Sequence, residues 1–588
     1  MLHAAAFAEC CFIKESGMKA LSVSSGSATS KGKKAINQDF LGHQIPAEPL
    51  LTTRGVALAI ADGISSSPVS QAASETAVTS FLEDYYRTSE AWSVKTSGEK
   101  VLKSINAVLY SQTQSGPSRF DKDKGYVCTF SALVLRSNTA HLFHSGDSRI
   151  YRLVGTTLEQ LTKDHRRVVS TAQSYLSRAL GIDPIADIDY QTFPIAKNDV
   201  FVMTTDGIYD FLSAEEIASC IAQASHLNSA AEQILEHALS AGSDDNLSVQ
   251  IVRVNEVTHY QSEDIQHNVS LLPLPPPLKE RMQFEGYDII RSIYVSSRSH
   301  VFLARDIDTN DMVVIKTPSA ELSDDLAYLE NFMLEDWVAK RVSNPHVVKA
   351  IESPRQRESL YLVTEYIEGQ SLAQWMIDNP KHTLEQIRDI ISQIANGLQA
   401  FHRKAMIHQD IRPANIMIDK HNIVKIIDFG STYIAGVTNT QDEEVLRGTM
   451  RYSAPEYFLG HAGTERSDIY ALGVIAYQML SGNQFPYSPK IAQARSVAAQ
   501  RRLTYRSVIT EDSELPVWID DALHKALNIN PLKRYEEVSE FVYDLHHPNQ
   551  IFLDRTRPPL IQRNPVMFWQ GVSFSLFLVI VFLVAQGQ

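Results

Sequence analysis

Cysteine and positive charge are both scarce in this sequence. The 588 residues contain four cysteines, which are too few to form a disulfide framework in a chain of this length. A reducing compartment is therefore expected. Lysine and arginine together number 54 against 68 aspartates and glutamates, which gives a formal net charge of −14. Because nucleic acids are bound by basic surfaces, this balance argues against a nucleic-acid partner.

The N-terminus lacks the uninterrupted apolar run of a secretory signal. Glu9, Lys14 and Glu15 break up the apolar residues there. Met18 opens a strand-like run and has the look of a natural start. Residues 1–18 are accordingly expected to be disordered or to be an artefact of the assigned start.

Charge is absent altogether from residues 566–585, near the other end of the chain. A helix of twenty residues is about 30 Å long, which matches the apolar thickness of a bilayer. Arg555, Arg557 and Arg563 precede this run. By the positive-inside rule, the long N-terminal part would stay in the cytoplasm. The pattern predicts a C-terminal transmembrane helix that acts as a single-pass tail anchor in the inner membrane.

The overall composition is that of folded protein, with 44% hydrophobic and 21% charged residues. A chain of this length needs more than one core. Residues 272–277 are dense in proline, which favours an extended spacer and indicates a domain boundary. The expected segments are a first domain at 19–255, a proline-rich linker at 256–284, a second domain at 285–548, a basic juxtamembrane stretch at 549–565 and the membrane helix at 566–585.

Strand-like and helical runs alternate in the first domain. Short apolar runs predict strands at 56–60, 130–135, 141–143, 200–204 and 247–252. Longer periodic runs predict helices at 69–86 and 229–240. Several of the predicted strands end at or beside an aspartate.

Five aspartates stand at these strand ends or in nearby turns, namely Asp39, Asp62, Asp147, Asp206 and Asp245. A single Asp-Gly after a strand is usually just a turn. Five carboxylates that converge at one sheet edge repel each other unless divalent cations neutralise them. Such oxygen-rich sites suit Mg²⁺ or Mn²⁺. Two such metals can activate water for in-line attack on a phosphoryl group.

This set of aspartates resembles that of the metal-dependent Ser/Thr phosphatases of the PPM, or type 2C, family, over nearly all of the first domain. The resemblance implies an α/β/β/α sandwich, with two central antiparallel sheets flanked by helices. It also implies that Asp62 bridges two metals, with the Gly63 carbonyl as a further ligand. Asp206 and Asp245 would hold the second of these metals.

The same resemblance implies three further roles. Asp39 would act through metal-bound water, and Asp147 would form a third metal site together with Asp206. Lys34 would bind the phosphate of the substrate. The family usually has arginine at that position, and lysine keeps the charge but loses the bidentate fork. Weaker phosphate binding is therefore expected at Lys34.

The second domain has different motifs, which meet the needs of phosphoryl transfer from ATP. Asp428 follows an apolar run, and Asp410 and Asn415 lie 18 and 13 residues before it. Upstream, Lys316 ends the run Val-Val-Ile-Lys, and downstream 454–456 reads Ala-Pro-Glu. These pieces, in this order, resemble a eukaryotic-type Ser/Thr protein kinase. The resemblance implies a bilobal α+β fold.

The kinase resemblance also implies a role for each charged residue. Asp410 would orient the hydroxyl group of the substrate, and Arg412 would keep a positive charge near the γ-phosphate. Asn415 and Asp428 would bind the Mg²⁺ that arrives with ATP. Lys316 would hold the α- and β-phosphates.

Two features of the second domain leave alternatives open. Lys316 could pair with Glu335 or with Glu330, and Glu335 is favoured by its distance to the following Asn-Pro-His segment. In the predicted nucleotide loop, Ser296 and Ser299 stand where the family has glycine. Side chains there should loosen the approach of backbone amides to phosphate, although both serines would still lie beside the nucleotide.

The sequence therefore predicts a bifunctional signalling enzyme of a bacterial kind, with a Ser/Thr phosphatase domain, a Ser/Thr kinase domain and a tail anchor. Its cofactors would be Mg²⁺ or Mn²⁺ in the phosphatase domain and Mg²⁺ with ATP in the kinase domain. Its partners would be protein and phosphoprotein substrates, including this chain itself. Two alternatives stay open: an active phosphatase regulated by an ATP-binding pseudokinase domain, and a non-enzymatic membrane scaffold.

Overall fold

The computed structural model of the chain describes residues 21–170, 173–257, 272–438, 450–509, 515–549 and 565–586. The predictions made for residues 1–18 fall outside the described residues, as do those for most of the basic stretch at 549–565.

Two antiparallel sheets form the centre of the first region. Its strands are β1 (Ser22–Ser30), β2 (Asp39–Gln44), β3 (Val56–Asp62), β4 (Phe130–Arg136), β5 (Thr139–Ser145), β6 (Arg149–Val154), β7 (Thr157–Gln160), β8 (Arg166–Ser170), β9 (Gln173–Leu176), β10 (Asp189–Pro194), β11 (Val200–Thr204) and β12 (Leu247–Glu256). One sheet has the order β1-β12-β11-β6-β7, and the other has the order β10-β5-β4-β3-β2. β8 and β9 pair separately as a hairpin.

Helices cover the outer face of each sheet. They are α1 (Leu50–Arg54), α2 (Ser70–Tyr86), α3 (Val94–Ser115), α4 (Asp206–Tyr209), α5 (Ala214–Gln223) and α6 (Leu227–Ser240). Strand β3 is buried on both sides, since Leu58 and Ile60 belong to the core between the sheets whereas Ala57 and Ala59 belong to the core under α2 and α3. The predicted α/β/β/α sandwich is therefore confirmed.

The second region begins with a five-stranded sheet. Its strands, in spatial order, are β13 (Gln283–Phe284), β14 (Tyr287–Val295), β15 (Ser299–Asp306), β16 (Met312–Pro318) and β17 (Leu362–Glu365). Helix α7 (Leu326–Arg341) follows β16 in the chain.

A mainly helical part completes this region, so that the predicted bilobal α+β fold is confirmed. Its helices are α8 (Leu372–Asp378), α9 (Leu384–His402), α10 (Glu465–Leu480), α11 (Val497–Gln500), α12 (Val517–Ala526) and α13 (Val538–His546). Its short strands are β18 (Gly369–Ser371), β19 (Met406–Ile407), β20 (Ile416–Asp419), β21 (Val424–Ile426) and β22 (Tyr433–Ile434).

The strands and helices singled out from the sequence of the first domain are confirmed. The five predicted strands fall within β3, β4, β5, β11 and β12, and the two predicted helices match α2 and α6 within two residues at either end. The long helix α3 was not singled out from the sequence. It belongs to the core that joins the two regions, as shown below.

Part of the predicted linker is packed rather than extended in solvent. Leu272 and Leu274 are partly buried against the core that the two regions share. The Pro273 carbonyl accepts a 2.9 Å hydrogen bond from the Leu360 amide. The sheet of the second region then begins at Gln283, before the predicted end of the linker.

A separate helix, α14 (Pro565–Gln586), occupies the predicted membrane segment. Within the ranges that the structure describes, no helix combines the length and the hydropathy needed to cross a membrane. The transmembrane segment at 566–585 therefore stays a prediction.

Candidate active sites

The first candidate site is built where strands of the two sheets end. Asp39 and Asp62 are register partners on the neighbouring strands β2 and β3. The backbone of Asp62 is fixed by Thr129, whose amide donates to the Asp62 carbonyl at 2.8 Å and whose Oγ1 accepts from the Asp62 amide at 3.0 Å. The pairing places the two carboxylates at one edge of the sheet.

The second sheet contributes the other aspartates. Asp206 opens α4 two residues after β11 ends, and Asp245 precedes the neighbouring strand β12. Asp147 lies in the short connection from β5 of one sheet to β6 of the other. All five predicted aspartates thus come from strand ends or crossovers at the junction of the two sheets.

Gly63 is fixed by its surroundings as well as by its predicted role. A Cβ at this position would lie 2.7 Å from the Ser70 carbonyl oxygen, at the start of α2. The Gly63 amide donates to the Gln38 carbonyl at 3.1 Å. A larger residue would push α2 away from β3, so the turn after Asp62 requires glycine.

Burial and mutual repulsion raise the pKa values of these carboxyl groups. Burial raises the pKa of Asp39 to about 6. Burial, and next the charge of Asp147, raise the pKa of Asp206 to about 7. Burial and the charge of Asp39 hold the pKa of Asp62 well above its ordinary value. The cluster therefore has more negative charge than its surroundings compensate.

One carboxylate oxygen in the cluster is left without a partner. Asp39 Oδ2 accepts a 2.9 Å hydrogen bond from Thr205 Oγ1, whereas Asp39 Oδ1 is buried and has no hydrogen-bond partner. Hard, uncompensated oxygen atoms are the donors that Mg²⁺ and Mn²⁺ prefer, so the donor set fits a divalent cation. As they stand, however, the described residues include no group of three or more acidic, histidine or cysteine side chains arranged to hold a metal ion.

An arginine that sequence reasoning missed lies among these acids. Arg166, the first residue of β8, pairs through Nε with Asp147, and its Nη2 lies 2.8 Å from Asp206 Oδ2. Its Nη1 lies 3.7 Å from Asp210 Oδ2. The guanidinium thus neutralises part of the pair predicted as a third metal site. Arg166 belongs to no recognised motif. The only sign in the sequence that a basic residue would lie here was the excess of aspartates, which require positive charge nearby.

Lys34, the predicted phosphate-binding residue, lies at the rim of the cluster. Its Nζ lies 3.2 Å from Asp245 Oδ1 and donates to Ser65 Oγ at 3.4 Å. About a third of each charged side chain is exposed. Lys34 is therefore open to solvent at the rim of the cluster.

The second candidate site centres on Lys316 of β16. Its Nζ lies 2.6 Å from Glu335 Oε1 of α7 and 3.0 Å from Asp428 Oδ1. Although burial alone lowers the pKa of Lys316, the charges of Glu335 and Asp428 raise it above its ordinary value. The Lys316 charge lowers the pKa of Asp428 to about 2. The competing Glu330 instead lies 2.7 Å from Lys100 of the first region.

Asp410 and its neighbours form the other half of this site. Asn415 Nδ2 donates to the carbonyl of Asp410 at 2.9 Å and to its Oδ2 at 2.8 Å. Arg412 Nε lies 3.6 Å from Asp410 Oδ2 and donates to Asn415 Oδ1 at 3.3 Å. Below them, Asp468 accepts the backbone amides of residues 408 and 409 at 2.9 and 3.0 Å. These bonds hold the Asp410 carboxylate in a fixed position.

The predicted nucleotide loop is a tight turn between β14 and β15. Ser296 Oγ accepts the amides of Ser299 at 3.0 Å and of Arg298 at 3.3 Å. The Ser296 hydroxyl and amide each donate to the Ser299 carbonyl at 3.0 Å. The Tyr328 hydroxyl of α7, which was not foreseen, donates to the Arg298 carbonyl and accepts from the Ser319 amide. The Ser296 hydroxyl therefore uses loop amides that glycine at this position would leave free for phosphate.

Comparison with protein families assigns each region. Residues 28–242 match the family model described as protein phosphatase 2C, and residues 287–545 match that of the protein kinase domain. The Ser/Thr protein kinase PrkC of Bacillus subtilis is 30% identical over 261 residues, which cover 44% of this chain and 40% of PrkC. PknB of Mycobacterium leprae is 29% identical over 278 residues, which cover 46% of this chain and 43% of PknB. The matches thus span less than half the length of these curated relatives.

Solved structures resemble each region in turn. The Ser/Thr phosphatase PstP/Ppp of Mycobacterium tuberculosis is 22% identical with a TM-score of 0.34, and the match covers 40% of this chain and 99% of that chain. The PknI kinase domain of Mycobacterium tuberculosis is 22% identical with a TM-score of 0.36, and the match covers 46% of this chain and 98% of that chain. From the family models and the curated kinases, the chain has a 2C-type phosphatase domain followed by a Ser/Thr protein kinase domain, as the sequence predicted.

Proposed function

We propose that this chain is a bifunctional signalling enzyme, a metal-dependent Ser/Thr phosphoprotein phosphatase joined to an ATP-dependent Ser/Thr protein kinase. The observation that carries the proposal is the presence of two complementary charge clusters in one molecule. In one, buried carboxylates converge where two sheets meet. In the other, Lys316 lies between Glu335 and Asp428. Its substrates would be proteins and phosphoproteins, including this chain.

In the phosphatase domain, Mg²⁺ or Mn²⁺ would be held by the five aspartates and the Gly63 carbonyl. When bound, these cations would supply the positive charge that in-line attack of water on phosphorus requires. The chain itself fixes the oxygen atoms, since strand pairing aligns Asp39 with Asp62 and Thr205 orients one Asp39 oxygen. Lys34 would attract the phosphate group from the rim of the cluster.

In the kinase domain, some charged residues would bind ATP with its Mg²⁺, and Asp410 would act on the protein substrate. Lys316, kept protonated by Glu335 and Asp428, would offer its ammonium group to the phosphates of ATP. Asp428, together with Asn415, would face the Mg²⁺ that ATP brings. Asp410, held by the Asn415 amide at 2.8 Å, would orient the attacking hydroxyl group.

Two variants test the proposal together. Asp206→Asn should lose hydrolysis of an aryl phosphate in Mn²⁺ and should gain label from radioactive ATP, because its own phosphatase no longer removes the phosphate. Asp410→Ala should lose label incorporation and keep aryl phosphate hydrolysis. Full hydrolysis in Asp206→Asn would contradict the phosphatase assignment, and full labelling in Asp410→Ala would contradict the kinase assignment.

A second candidate function is an active phosphatase whose kinase domain binds ATP without transferring phosphate. The observation that favours it is the internal bonding of Ser296 and Ser299, which occupies amides of the nucleotide loop. Binding of ATP without any label incorporation, in wild type and in Asp206→Asn alike, would select this candidate.

We also propose that residues 566–585 attach the protein to the cytoplasmic side of the inner membrane. The support is the uncharged sequence of this run and the exposed apolar side chains of α14, among them Val566, Trp569 and Phe574. Truncation after Arg563 should release the protein from membranes and leave both activities intact. A truncated protein that still pellets with membranes after a carbonate wash would contradict this attachment.

A further inference from the structure

The part of helix α7 that carries Glu335 is buried on every side. All eight residues from 332 to 339 are buried. Eight residues make more than two turns, so these positions point in all directions around the helix axis. A helix buried all round needs neighbours on more than one side. The kinase sheet supplies one of them, through Lys316 of β16.

The phosphatase domain covers another side of α7. In the last turn of α7, Arg341 Nε donates to Asp84 Oδ2 of α2 at 2.6 Å, and its Nη1 donates to Ser104 Oγ of α3 at 2.6 Å. The side chains of Arg341 and Asp84 are each 2% exposed. A guanidinium this deeply buried needs a charged partner, and its carboxylate comes from the other domain.

Two more contacts extend this interface towards the start of α7. The rings of Trp337 and Trp92 lie 5.7 Å apart at an angle of 70°. Lys100 Nζ lies 2.7 Å from Glu330 Oε1 and 5.1 Å from the centre of the Trp92 ring. From Glu330 to Arg341 is about 16 Å of helix at 1.5 Å per residue. The phosphatase domain therefore follows α7 along most of its length.

The same phosphatase helix, α3, reaches the chain segment that follows Asp428. A Cβ on Gly436, whose φ is +76°, would lie 2.7 Å from the Lys103 carbonyl oxygen. The neighbouring Val437 packs against the shared core. α3 thus touches two elements of the kinase domain, the helix that positions Glu335 and the segment that continues from Asp428.

We propose that the phosphatase domain has a second, non-catalytic function: it docks on α7 and on the segment at 436–437, and so holds the kinase nucleotide site in its assembled form. Glu335 and Asp428 are the two acids that contact Lys316. Glu335 lies on α7, and the contacted Gly436 and Val437 follow Asp428 in the chain by eight and nine residues. The inference rests on the proposed function only in that ATP binds at Lys316.

A thermodynamic consequence makes this docking measurable. Docking would favour the position of α7 in which Glu335 meets Lys316. Complete loss of docking would then weaken nucleotide binding by the same factor by which bound nucleotide strengthens docking. Binding of a nonhydrolysable ATP analogue therefore reports the coupling, whether or not phosphate is transferred.

The test reverses one charge at the interface of the full-length chain. Lys100→Glu places two glutamates where Lys100 and Glu330 now lie 2.7 Å apart, at a position where the Glu330 side chain is 52% exposed and the Lys100 side chain 14% exposed. We expect the Kd of the ATP analogue with Mg²⁺ to rise by about fivefold or more, the usual lower range of such couplings. The double variant Lys100→Glu/Glu330→Lys restores the ion pair and should return Kd to within about twofold of wild type.

Control variants separate coupling from general damage. Lys197→Glu reverses a charge that pairs with Glu256 inside the phosphatase domain at 2.6 Å, and it should leave Kd unchanged. Aryl phosphate hydrolysis should match wild type in the Lys100 and Lys197 variants, because neither residue contacts the aspartate cluster. Arg341→Ala removes the buried pair and should raise Kd at least as much as Lys100→Glu.

The outcomes are distinct. Nucleotide binding that is unchanged in both Lys100→Glu and Arg341→Ala overturns the docking function while leaving the proposed kinase intact. A rise in Kd that the charge swap does not reverse also overturns it, since the effect then does not come from the contact. A wild-type protein that binds no nucleotide overturns the proposed kinase function, and the docking function with it.

Discussion

In the phosphatase domain, burial and neighbouring acids raise the pKa values of Asp39 and Asp206 to about 6 and about 7. In the kinase domain, the charge of Lys316, 3.0 Å away, lowers the pKa of Asp428 to about 2. Both sites gather carboxylates for phosphoryl chemistry. They differ in how much of the compensating charge the chain itself provides.

That difference fits what each substrate brings. ATP arrives with Mg²⁺, so a kinase site can keep its acids paired with a lysine until the metal comes. A phosphorylated side chain brings no cation, so a phosphatase site of this kind has to hold its metals beforehand. Unpaired buried acids are costly for the fold alone. The uncompensated acids of the aspartate cluster therefore fit the proposed binding of cations.

The largest effect on activity should come from preventing the aspartate cluster from binding cations. Asp62→Ala should lower aryl phosphate hydrolysis by more than about 100-fold, because Asp62 lies at the centre of the cluster. Loss of a residue that only supports a metal ligand costs about 100-fold at most. EDTA should abolish the activity and Mn²⁺ should restore it. The matched control is Asp183→Asn, an exposed aspartate paired with Lys122, which should keep full activity. If Asp62→Ala keeps activity near that of wild type, hydrolysis does not depend on a metal held by this cluster.

In the kinase site, the compensating positive charge comes from one side chain, that of Lys316. Lys316→Met should lower label incorporation from ATP by about 100-fold or more, as expected when a preorganised charge beside the transferred group is lost. Glu335 and Asp428 would then face each other without the lysine between them. Lys420→Met, at an exposed lysine paired with Glu368, should have no effect. Equal losses in both variants would mean that general damage, rather than the site, explains the result.

The sequence predicted the residues that local patterns mark. An aspartate that follows an apolar strand can be recognised from the sequence alone, and so can the spacings around Asp410 and Asp428. The choice between Glu330 and Glu335 was different. Five positions on a helix differ by about 140°, so the two side chains leave the helix in nearly opposite directions. Spacing alone cannot say which direction faces β16, and the structure places Glu335 beside Lys316 and Glu330 beside Lys100.

Contacts between distant segments left no such local sign. Trp92 and Trp337 are 245 residues apart in the chain, and each by itself is an ordinary core aromatic. Arg166 lies among the aspartates because of the β8–β9 hairpin, whose position no periodicity in the sequence indicates. The linker prediction had the same weakness, since proline density favours extension but cannot show that Leu272 and Leu274 have a surface to pack on.

A smaller effect should sharpen the comparison at the nucleotide loop. Ser296→Gly removes the hydroxyl that accepts the amides of Arg298 and Ser299, which frees them for phosphate. One such hydrogen bond is worth about 1 kcal/mol, so we expect the KM for ATP to fall by about fivefold. Ser323→Gly, at a position outside the loop, controls for added backbone freedom. A KM for ATP that rises in Ser296→Gly would show that the serine turn helps to bind nucleotide.

The smallest effect concerns Arg166, a residue through which the chain itself supplies positive charge to the phosphatase cluster, as Lys316 does in the kinase site. Its guanidinium pairs with Asp147 and Asp206, with about a quarter of its side chain exposed. In EDTA, Arg166→Gln should lower the unfolding midpoint of the phosphatase domain by about 2–4 °C, the shift that accompanies about 1 kcal/mol in a domain of this size. Mn²⁺ should then raise the midpoint more in the variant than in wild type, because a bound cation replaces the missing charge.

Arg152→Gln provides the matched control for this last prediction. Arg152 lies 2.7 Å from Asp199 and is also about a quarter exposed, but it stands apart from the aspartate cluster. Its loss should lower the midpoint by a similar amount in EDTA and should leave the Mn²⁺-induced rise unchanged. If Mn²⁺ raises the midpoint of Arg166→Gln no more than that of Arg152→Gln, the arginine and the metal do not compensate the same carboxylates. Arg166 would then give no support to the contrast between the kinase site, whose acids are compensated by Lys316, and the phosphatase site, whose acids are compensated by bound cations.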